Sequence, residues 1–302
     1  MAGLILNAPY GFPFLPKAIH KRLSLTPEDL RWENWRLTDP FLLDLVQKAV
    51  QPEGQTSPLS RDLVKKDQNS PHALPTSLVV SYPYSPLVAD PLGLIARELG
   101  QTETLGPFIL THGSLEKSLP VWSESEREFI FSRCVKPYFQ SLEDAAKTLL
   151  ATEPLVLIVT IRFFAARPFK LDHRENPRPQ VNLGFFEESA SPKGLIALAG
   201  HIFRRFGLWT ELDYPLVGSW IPDSLVGKPR IKTLGLALRR DLYLDETLAT
   251  VKPAAGSLIR ILRAFFVLLG QELDRVYQAR LLRAFPPKPP SNVIKAKPNQ
   301  TS

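Results

Sequence analysis

The sequence predicts an α/β protein in which a layered, mixed or parallel sheet is flanked by helices. Short β-rich runs alternate along the chain with amphipathic helical patterns, which is typical of α/β layers. The run Leu155–Ile161 is apolar except for one threonine, which favours a central strand covered on both faces. No internal repeat of roughly 20–50 residues is visible, so a solenoid is excluded.

Six segments have the character of strands. Each is short and contains the β-branched or aromatic residues that favour a pleated, partly buried surface. The segments are Leu4–Asn7, Ser77–Tyr82, Leu155–Phe163, Val181–Phe185, Leu208–Leu212 and Ile231–Leu238.

Two of the helices between these strands carry recognisable start or stop signals. Ser123 and Glu126 have the spacing of a capping box, and Pro137 is expected to kink or split the helix that follows. Ser191, followed by proline, predicts the start of another helix, which ends at Gly207.

The last helix is predicted over Ala254–Phe285 as an amphipathic cover on the sheet. Its arginines can face water while its apolar residues face inward. The inward residues are predicted to be Leu258, Ile261, Leu262, Phe265, Leu268, Leu269 and Leu273.

Length and composition predict a globular chain. Of its 302 residues, 44% are hydrophobic and 22% are charged, close to the averages for soluble proteins, so disorder of the whole chain is excluded. We expect a single domain over residues 1–285, in which residues 51–75 form an insertion or mobile loop. Residues 286–302 are basic and proline-rich and are expected to be a disordered tail.

Several features that the sequence lacks limit the cellular location and the binding partners that we expect. The longest apolar runs are far shorter than the roughly 20 residues that span a bilayer, and the first residues do not resemble a secretory signal. Cys134 is the single cysteine, so disulfides are excluded and a cytoplasmic location is expected. The net charge of +7 is spread along the chain, so neither nucleic acid nor a membrane is an expected partner, and the sequence does not determine the oligomeric state.

Common catalytic motifs are missing from the sequence. It contains no HExxH pair, no GxSxG turn and no glycine-rich phosphate loop. The five histidines lack helical ligand spacing, and Cys134 is interpreted as a packing residue. Thr111–Ser114, with the sequence THGS, could be a polar catalytic loop or a plain turn, and the plain turn is favoured.

Arginines are the more informative residues. Arg162 ends the predicted central strand, and Arg240 follows the strand Ile231–Leu238. If the sheet is parallel, both lie at the carboxyl ends of strands, where open α/β sheets form their ligand crevices. A solvated strand end with ordinary surface charges is the alternative.

Several short motifs follow one another in the order found in a known family. Leu234–Glu246 is similar to the segment LQLExxxRxxYMDE, with Tyr243, Asp245 and Glu246 in matching positions. Weaker matches are Pro9–Gly11 to PHxG, Trp35 to the start of WHVD, Tyr84, Ser85 and Asp90 to YSRxVxD, Asn182–Gly184 to NLG, and Gly218 and Ile221 to GGYI. On these residues, the chain resembles the N-formylglutamate amidohydrolase family from about residue 4 to residue 270.

The resemblance implies a fold, an activity and a cofactor. Members of this family are zinc-dependent hydrolases with an α/β fold like that of the zinc carboxypeptidases. They cleave the amide of N-formylglutamate to formate and glutamate. An active member of the family would therefore hold a zinc ion.

The chain departs from the family at the positions that carry this chemistry. Tyr10 replaces the histidine of PHxG, Arg36 replaces that of WHVD, and Arg162 falls in the DxHS segment that ends the central strand. Ala237 and Gly235 replace the glutamate and glutamine of LQLE. A guanidinium group offers only donors and cannot ligate zinc, so we expect no zinc and no hydrolysis.

The preferred hypothesis is a non-hydrolytic relative that binds a small carboxylate. Tyr10, Arg36, Arg162 and Arg240 are the candidate binding residues, because an arginine fork suits a carboxylate. Alternatively, the arginines simply fill the vacated site by pairing with acidic residues such as Asp39 or Asp90.

Two further hypotheses stay open. The first is an active metal-dependent amidohydrolase for N-formylglutamate or a similar N-acyl amino acid, with zinc held by a shifted ligand set that includes His20, His112 or His173. The second is an interaction protein that uses the tail and the 51–75 segment to bind a partner.

Overall fold

The structure is a computed structural model that describes residues 2–51, 74–102, 106–167, 177–186, 191–247 and 250–284. His173, the predicted tail and most of the 51–75 segment lie outside these ranges. The predictions made for them therefore stay predictions, as does the single-domain assignment.

A six-stranded mixed sheet forms the centre of the molecule, with the strand order β2-β1-β3-β6-β4-β5. All neighbouring pairs are parallel except β4 and β6, which are antiparallel. The predicted α/β fold is confirmed, and each predicted strand corresponds to one strand of this sheet. The strands are β1 (Gly3–Ala8), β2 (Ser77–Ser81), β3 (Val156–Phe164), β4 (Val181–Gly184), β5 (Thr210–Leu212) and β6 (Ile231–Arg239), and β7 (Leu244–Asp245) pairs separately with β8 (Thr250–Val251).

Helices cover both faces of the sheet. The helices are α1 (Lys17–Arg22), α2 (Pro27–Leu37), α3 (Pro40–Val50), α4 (Leu94–Glu98), α5 (Glu124–Ile130), α6 (Lys136–Leu150), α7 (Lys193–Arg205) and α8 (Ala255–Ala284). Helix α6 packs with Ile158 on one face, whereas α3, α7 and α8 pack with Val159 on the other. Successive residues of a strand point to opposite faces, so an apolar β3 is buried on both sides, as the sequence predicts.

The helix signals around residue 123 are confirmed. The backbone N–H of Ser123 donates to Glu126 Oε2 at 2.9 Å. The Ser123 hydroxyl in turn accepts the backbone N–H of Glu126. A π-helical turn over Phe131–Val135 separates α5 from α6. Pro137 has no N–H to donate, which explains why the regular helix is interrupted before it.

Helix α8 begins one residue from its predicted start. Leu262 and Phe265 are buried as predicted, but the inward placement of Leu268 is wrong, because its side chain is 42% exposed. Phe266 is buried instead, since α8 packs against both α3 and α7 and so buries a different stripe of residues. No helix in the described ranges has an apolar stretch that could cross a membrane.

Three glycines allow backbones to meet beside the centre of the sheet. A Cβ built on Gly235 of β6 would lie 2.8 Å from Gly184 Cα in β4 and 3.2 Å from the carbonyl oxygen of Gly218. Real Cβ atoms do not approach backbone this closely, so the antiparallel pairing of β4 with β6 depends on a residue without a side chain at position 235.

We expect Gly235→Ala to lower the free energy of unfolding by about 1–3 kcal/mol, since neither neighbouring backbone can move without disturbing the sheet. Urea unfolding followed by circular dichroism measures the effect. Gly256→Ala is the matched control, because nothing lies within 4 Å of a Cβ built there. Equal stability of the two variants would contradict the proposed close contact.

Candidate functional site

A cleft opens at the edge of the sheet where the parallel strands β1 and β3 end. Its floor and walls come from the ends of these strands, from helices α2 and α4, and from the segment just before β4. We call it the arginine cleft, and it is lined by Tyr10, Arg36, Leu37, Ile95, Glu98, Leu99, Ser114, Arg162, Phe163, Phe164, Ala165, Arg178 and Leu216. Three of the four predicted binding residues therefore come together in one place.

Arg162 is the most deeply placed charge of the arginine cleft. It lies near the end of β3, is 3% exposed and forms an ion pair with Glu98, the last residue of α4. Burial lowers the pKa of Arg162, and the nearby Tyr10 and Asp90 oppose this shift. An arginine keeps its proton even so, hence a permanent positive charge lies at the base of the cleft.

Two further arginines reach the cleft from different elements. Arg36 lies in the last turn of α2, and its Nη1 is 3.4 Å from the carbonyl oxygen of Ser114. Arg178 precedes β4, and its Nη1 donates to the carbonyl oxygen of Ala165 at 3.0 Å. Because β4 runs antiparallel to β6, its first residues lie at the same edge as the carboxyl ends of the parallel strands.

Tyr10 is tied to a buried carboxylate. Its hydroxyl donates to Asp90 Oδ1 at 2.8 Å, while Asp90 Oδ2 accepts the N–H of Ala96 at 2.8 Å. Burial raises the pKa of Asp90, against the opposing effects of this N–H, the Tyr10 hydroxyl and Arg162. Burial is the main cause that raises the pKa of Tyr10 well above its usual value, and the Asp90 charge is the second cause. Tyr10 is therefore a neutral donor.

The THGS segment is a turn fixed by a buried glutamate. Glu33 Oε2 accepts both the N–H and the hydroxyl of Ser114 at 2.8 Å, and Glu33 Oε1 accepts the N–H of Leu115 at 2.8 Å. Gly113 is required next to this contact, since a Cβ there would lie 2.2 Å from Glu33 Oε1. This geometry favours the turn interpretation, although Ser114 also lines the cleft.

Arg240, the fourth predicted binding residue, lies behind the cleft wall and does not line the cleft. Its Nε donates to Asp39 Oδ2 at 3.0 Å, and its guanidinium stacks on Phe163 and Trp35 at 4.1 and 4.8 Å from the ring centroids. Asp39 Oδ2 also accepts the Tyr243 hydroxyl at 2.6 Å, and Asp39 Oδ1 caps α3. This network supports the wall. The alternative in which an arginine pairs with an acidic residue such as Asp39 therefore describes Arg240.

The residues of the arginine cleft do not fit a zinc ion. Zinc takes about three imidazole, thiolate or carboxylate ligands, yet the described lining residues include no histidine or cysteine. Glu98 is held by Arg162, and Asp90 by Tyr10 and backbone N–H groups. Among the described residues, no three His, Cys, Asp or Glu side chains are grouped closely enough to hold a metal.

Charge and size limit what the cleft can accept. Among the described residues, its lining includes three guanidinium groups and the carboxylate of Glu98. The free volume is about 50 Å³, and one water needs roughly 10–15 Å³ by the same kind of measure. The cleft therefore has room for a group of a few heavy atoms, with apolar walls formed by residues such as Phe164 and Leu216.

Sequence reasoning missed Glu98 and Arg178. Arg178 could have been found only from the antiparallel direction of β4, which the amino-acid pattern does not reveal. Glu98 lies on a helix of five residues, too short to give a periodic signal. Both are positioned by tertiary contacts.

Comparison with known proteins identifies a family and a fold. A sequence model of a family described as N-formylglutamate amidohydrolase matches residues 2–244. The solved N-formylglutamate amidohydrolase from Ralstonia eutropha JMP134 is 17% identical, with a TM-score of 0.62 over 91% of this chain and 95% of its own. A gene product from Agrobacterium tumefaciens is 12% identical, with a TM-score of 0.59 over 90% of this chain and 92% of its own. No curated protein matches the chain. At these identities, the structural likeness shows a shared fold.

The wall behind the cleft gives a stability prediction. Asp39→Ala leaves the buried Arg240 without its carboxylate, so we expect the free energy of unfolding to fall by about 3–5 kcal/mol. Asp44→Ala on the same helix removes only an exposed partner of Lys48 and should cost less than about 1 kcal/mol. Urea unfolding of the two variants measures the difference, and a similar small loss in both would show that the Asp39 network does not support the wall.

The buried tyrosines give a pH prediction. Burial is the main cause that raises the pKa values of Tyr10, Tyr82, Tyr138 and Tyr243 above the usual value. The folded state then holds these protons more tightly than the unfolded state. Their contribution to stability is fully present below about pH 10 and is lost as the pH rises above it, by about 1.4 kcal/mol per pH unit for each group.

We therefore expect these four tyrosines to ionise only when the protein unfolds in alkali. Tyrosinate absorbance and circular dichroism, followed together as the pH is raised, measure the two events. Ionisation of all tyrosines while the fold persists would contradict the burial assigned to them.

Proposed function

The chain belongs to the N-formylglutamate amidohydrolase family, and we propose that its arginine cleft binds a small carboxylate without hydrolysing an amide. One observation carries the proposal. Tyr10, Arg36 and Arg162, which stand where the family motifs have histidines or the DxHS segment, line a single cleft. The family site has thus become a site of hydrogen-bond donors in this chain.

The chemistry of these donors favours an anion. A guanidinium presents paired N–H groups that match the two oxygens of a carboxylate. The guanidinium groups among the described lining residues attract such a group. Burial of Arg162 keeps the interaction largely out of water, where it is stronger than at a surface. The small free volume favours a carboxylate with a short chain.

Hydrolysis lacks its usual agent in this donor set. Amide cleavage by a zinc hydrolase depends on a metal-bound water that loses its proton near neutral pH. Guanidinium groups cannot hold that metal, and several would repel a dication. Tyr10 is a neutral donor whose proton is already engaged by Asp90, so it supplies no base.

Zinc content and hydrolysis test the proposal together. We expect close to zero zinc per chain by elemental analysis after reconstitution at neutral pH and removal of loosely bound ions. We also expect no formate release from N-formylglutamate. About one zinc per chain with formate release would establish the alternative, an active metal-dependent amidohydrolase with a shifted ligand set.

Carboxylate binding tests the proposal directly. We expect formate or acetate to bind the wild-type chain in a calorimetric or NMR titration. Arg36→Gln should raise the Kd roughly tenfold to a hundredfold, because a hydrogen bond to a charged group contributes about 1.5–3 kcal/mol. Arg31→Gln, an exposed position on the same helix, is the matched control and should leave the Kd unchanged. An equal effect of both variants would indicate general charge attraction instead of a site.

A further inference from the structure

Arg162 has three carboxylates near it, Asp90, Asp213 and Glu98, and they differ in how firmly they are held. Asp213 accepts two backbone N–H groups and is fixed by them. Asp90 is fully buried and is bonded to the Tyr10 hydroxyl and to the N–H groups of Leu92 and Ala96. It cannot turn away without leaving several donors unpaired. Glu98 is held less firmly than these two, because Arg162 is its only ion-pair partner among the residues that the structure describes.

The exposure of the ion pair is asymmetric. The side chain of Arg162 is 4% exposed, whereas that of Glu98 is 34% exposed. Arg162 therefore cannot reach water, but Glu98 can do so by rotating about its own side-chain bonds. The buried cation must keep an anion beside it, and Glu98 is the most exposed of its carboxylate neighbours.

The backbone under Glu98 need not move in such an exchange. The N–H of Ala96 in the same helix is held by Asp90 at 2.8 Å, and Leu94 and Ile95 are buried in the core. The backbone of helix α4 is therefore held in place by Asp90 and by the core. Rotation of the Glu98 side chain alone would open the space next to the Arg162 guanidinium.

From these contacts we infer that Glu98 is an internal competitor for the ligand. Its carboxylate occupies the position beside Arg162 that the carboxylate of a bound molecule takes, and binding displaces Glu98 into water. This inference rests on the proposed function and adds a specificity-determining residue to it. The exchange keeps one carboxylate beside Arg162 throughout, so the site accepts a carboxylate and rejects neutral or cationic analogues of the same size.

Competition by Glu98 also sets the affinity of the cleft for a carboxylate ligand. A ligand binds only the fraction of molecules in which Glu98 is turned away, and the apparent Kd is raised by the inverse of that fraction. Removing the Glu98 charge frees Arg162 in every molecule. Glu98→Gln should therefore lower the Kd for a small carboxylate on the order of tenfold or more.

The experiment titrates acetate into the wild type, Glu98→Gln, Glu98→Ala and a control, with acetamide as the neutral analogue. The control is Glu128→Gln on α5, which removes the same charge from an exposed ion pair with Lys136 of α6. Circular dichroism establishes that each variant is folded, and the alanine variant stands in if the glutamine variant is not. We expect tighter acetate binding by the two Glu98 variants, an unchanged Kd for Glu128→Gln and no acetamide binding.

The outcomes separate this inference from the function beneath it. Acetate binding by the wild type with the same Kd in the Glu98 variants would overturn the competitor and leave the carboxylate site standing. Absence of acetate binding in the wild type and in the two Glu98 variants would overturn the competitor role of Glu98 and the carboxylate site together. In the wild type itself, the carboxyl ¹³C resonance of Glu98 should move toward that of a solvated glutamate as acetate saturates, and a fixed resonance during saturation would also overturn displacement.

Discussion

The positive charge of Arg162, placed where water does not reach, is the constraint around which this edge of the sheet is arranged. A buried guanidinium is tolerated only with anions and acceptors close to it. Asp90, Asp213 and Glu98 supply the carboxylates, and Asp90 in turn orients Tyr10 and holds the backbone of α4. The end of β1, the start of α4 and the end of β3 are thus joined through one charged residue.

The positions at which the sequence resemblance predicts departures from the family are integrated into the packing of the chain. Ala237 lies beside Arg162 in the strand register and packs with Phe164 and Leu216 in a small apolar cluster. Gly235 lies two residues earlier in β6, where backbone of β4 leaves no room for a side chain. A glutamate or a glutamine at these places would meet apolar or backbone surroundings.

Local patterns predicted the strands well because the central strands β1, β3 and β6 are short, largely apolar segments buried in one sheet. The apolar run of β3 and the capping box at Ser123 are properties of adjacent residues, and both are confirmed. The direction of β4 is not a local property, and with it Arg178 was missed. Arg240 shows the opposite difficulty, since its position at a strand end predicted a place in the cleft. Its partners Asp39, Trp35 and Phe163 are distant in sequence and hold it behind the cleft wall.

The carboxylate of Asp39 caps helix α3, forms an ion pair with Arg240 and accepts the hydroxyl of Tyr243. None of these contacts involves a group that faces the cleft. The Asp39 network is consequently distinct from the side chains of Tyr10 and Arg36, and it touches the cleft lining where Arg240 stacks on Phe163. In evolutionary terms, these two side chains can change while the Asp39 network is kept, so a lineage can alter the lining of this edge on a backbone that keeps its fold.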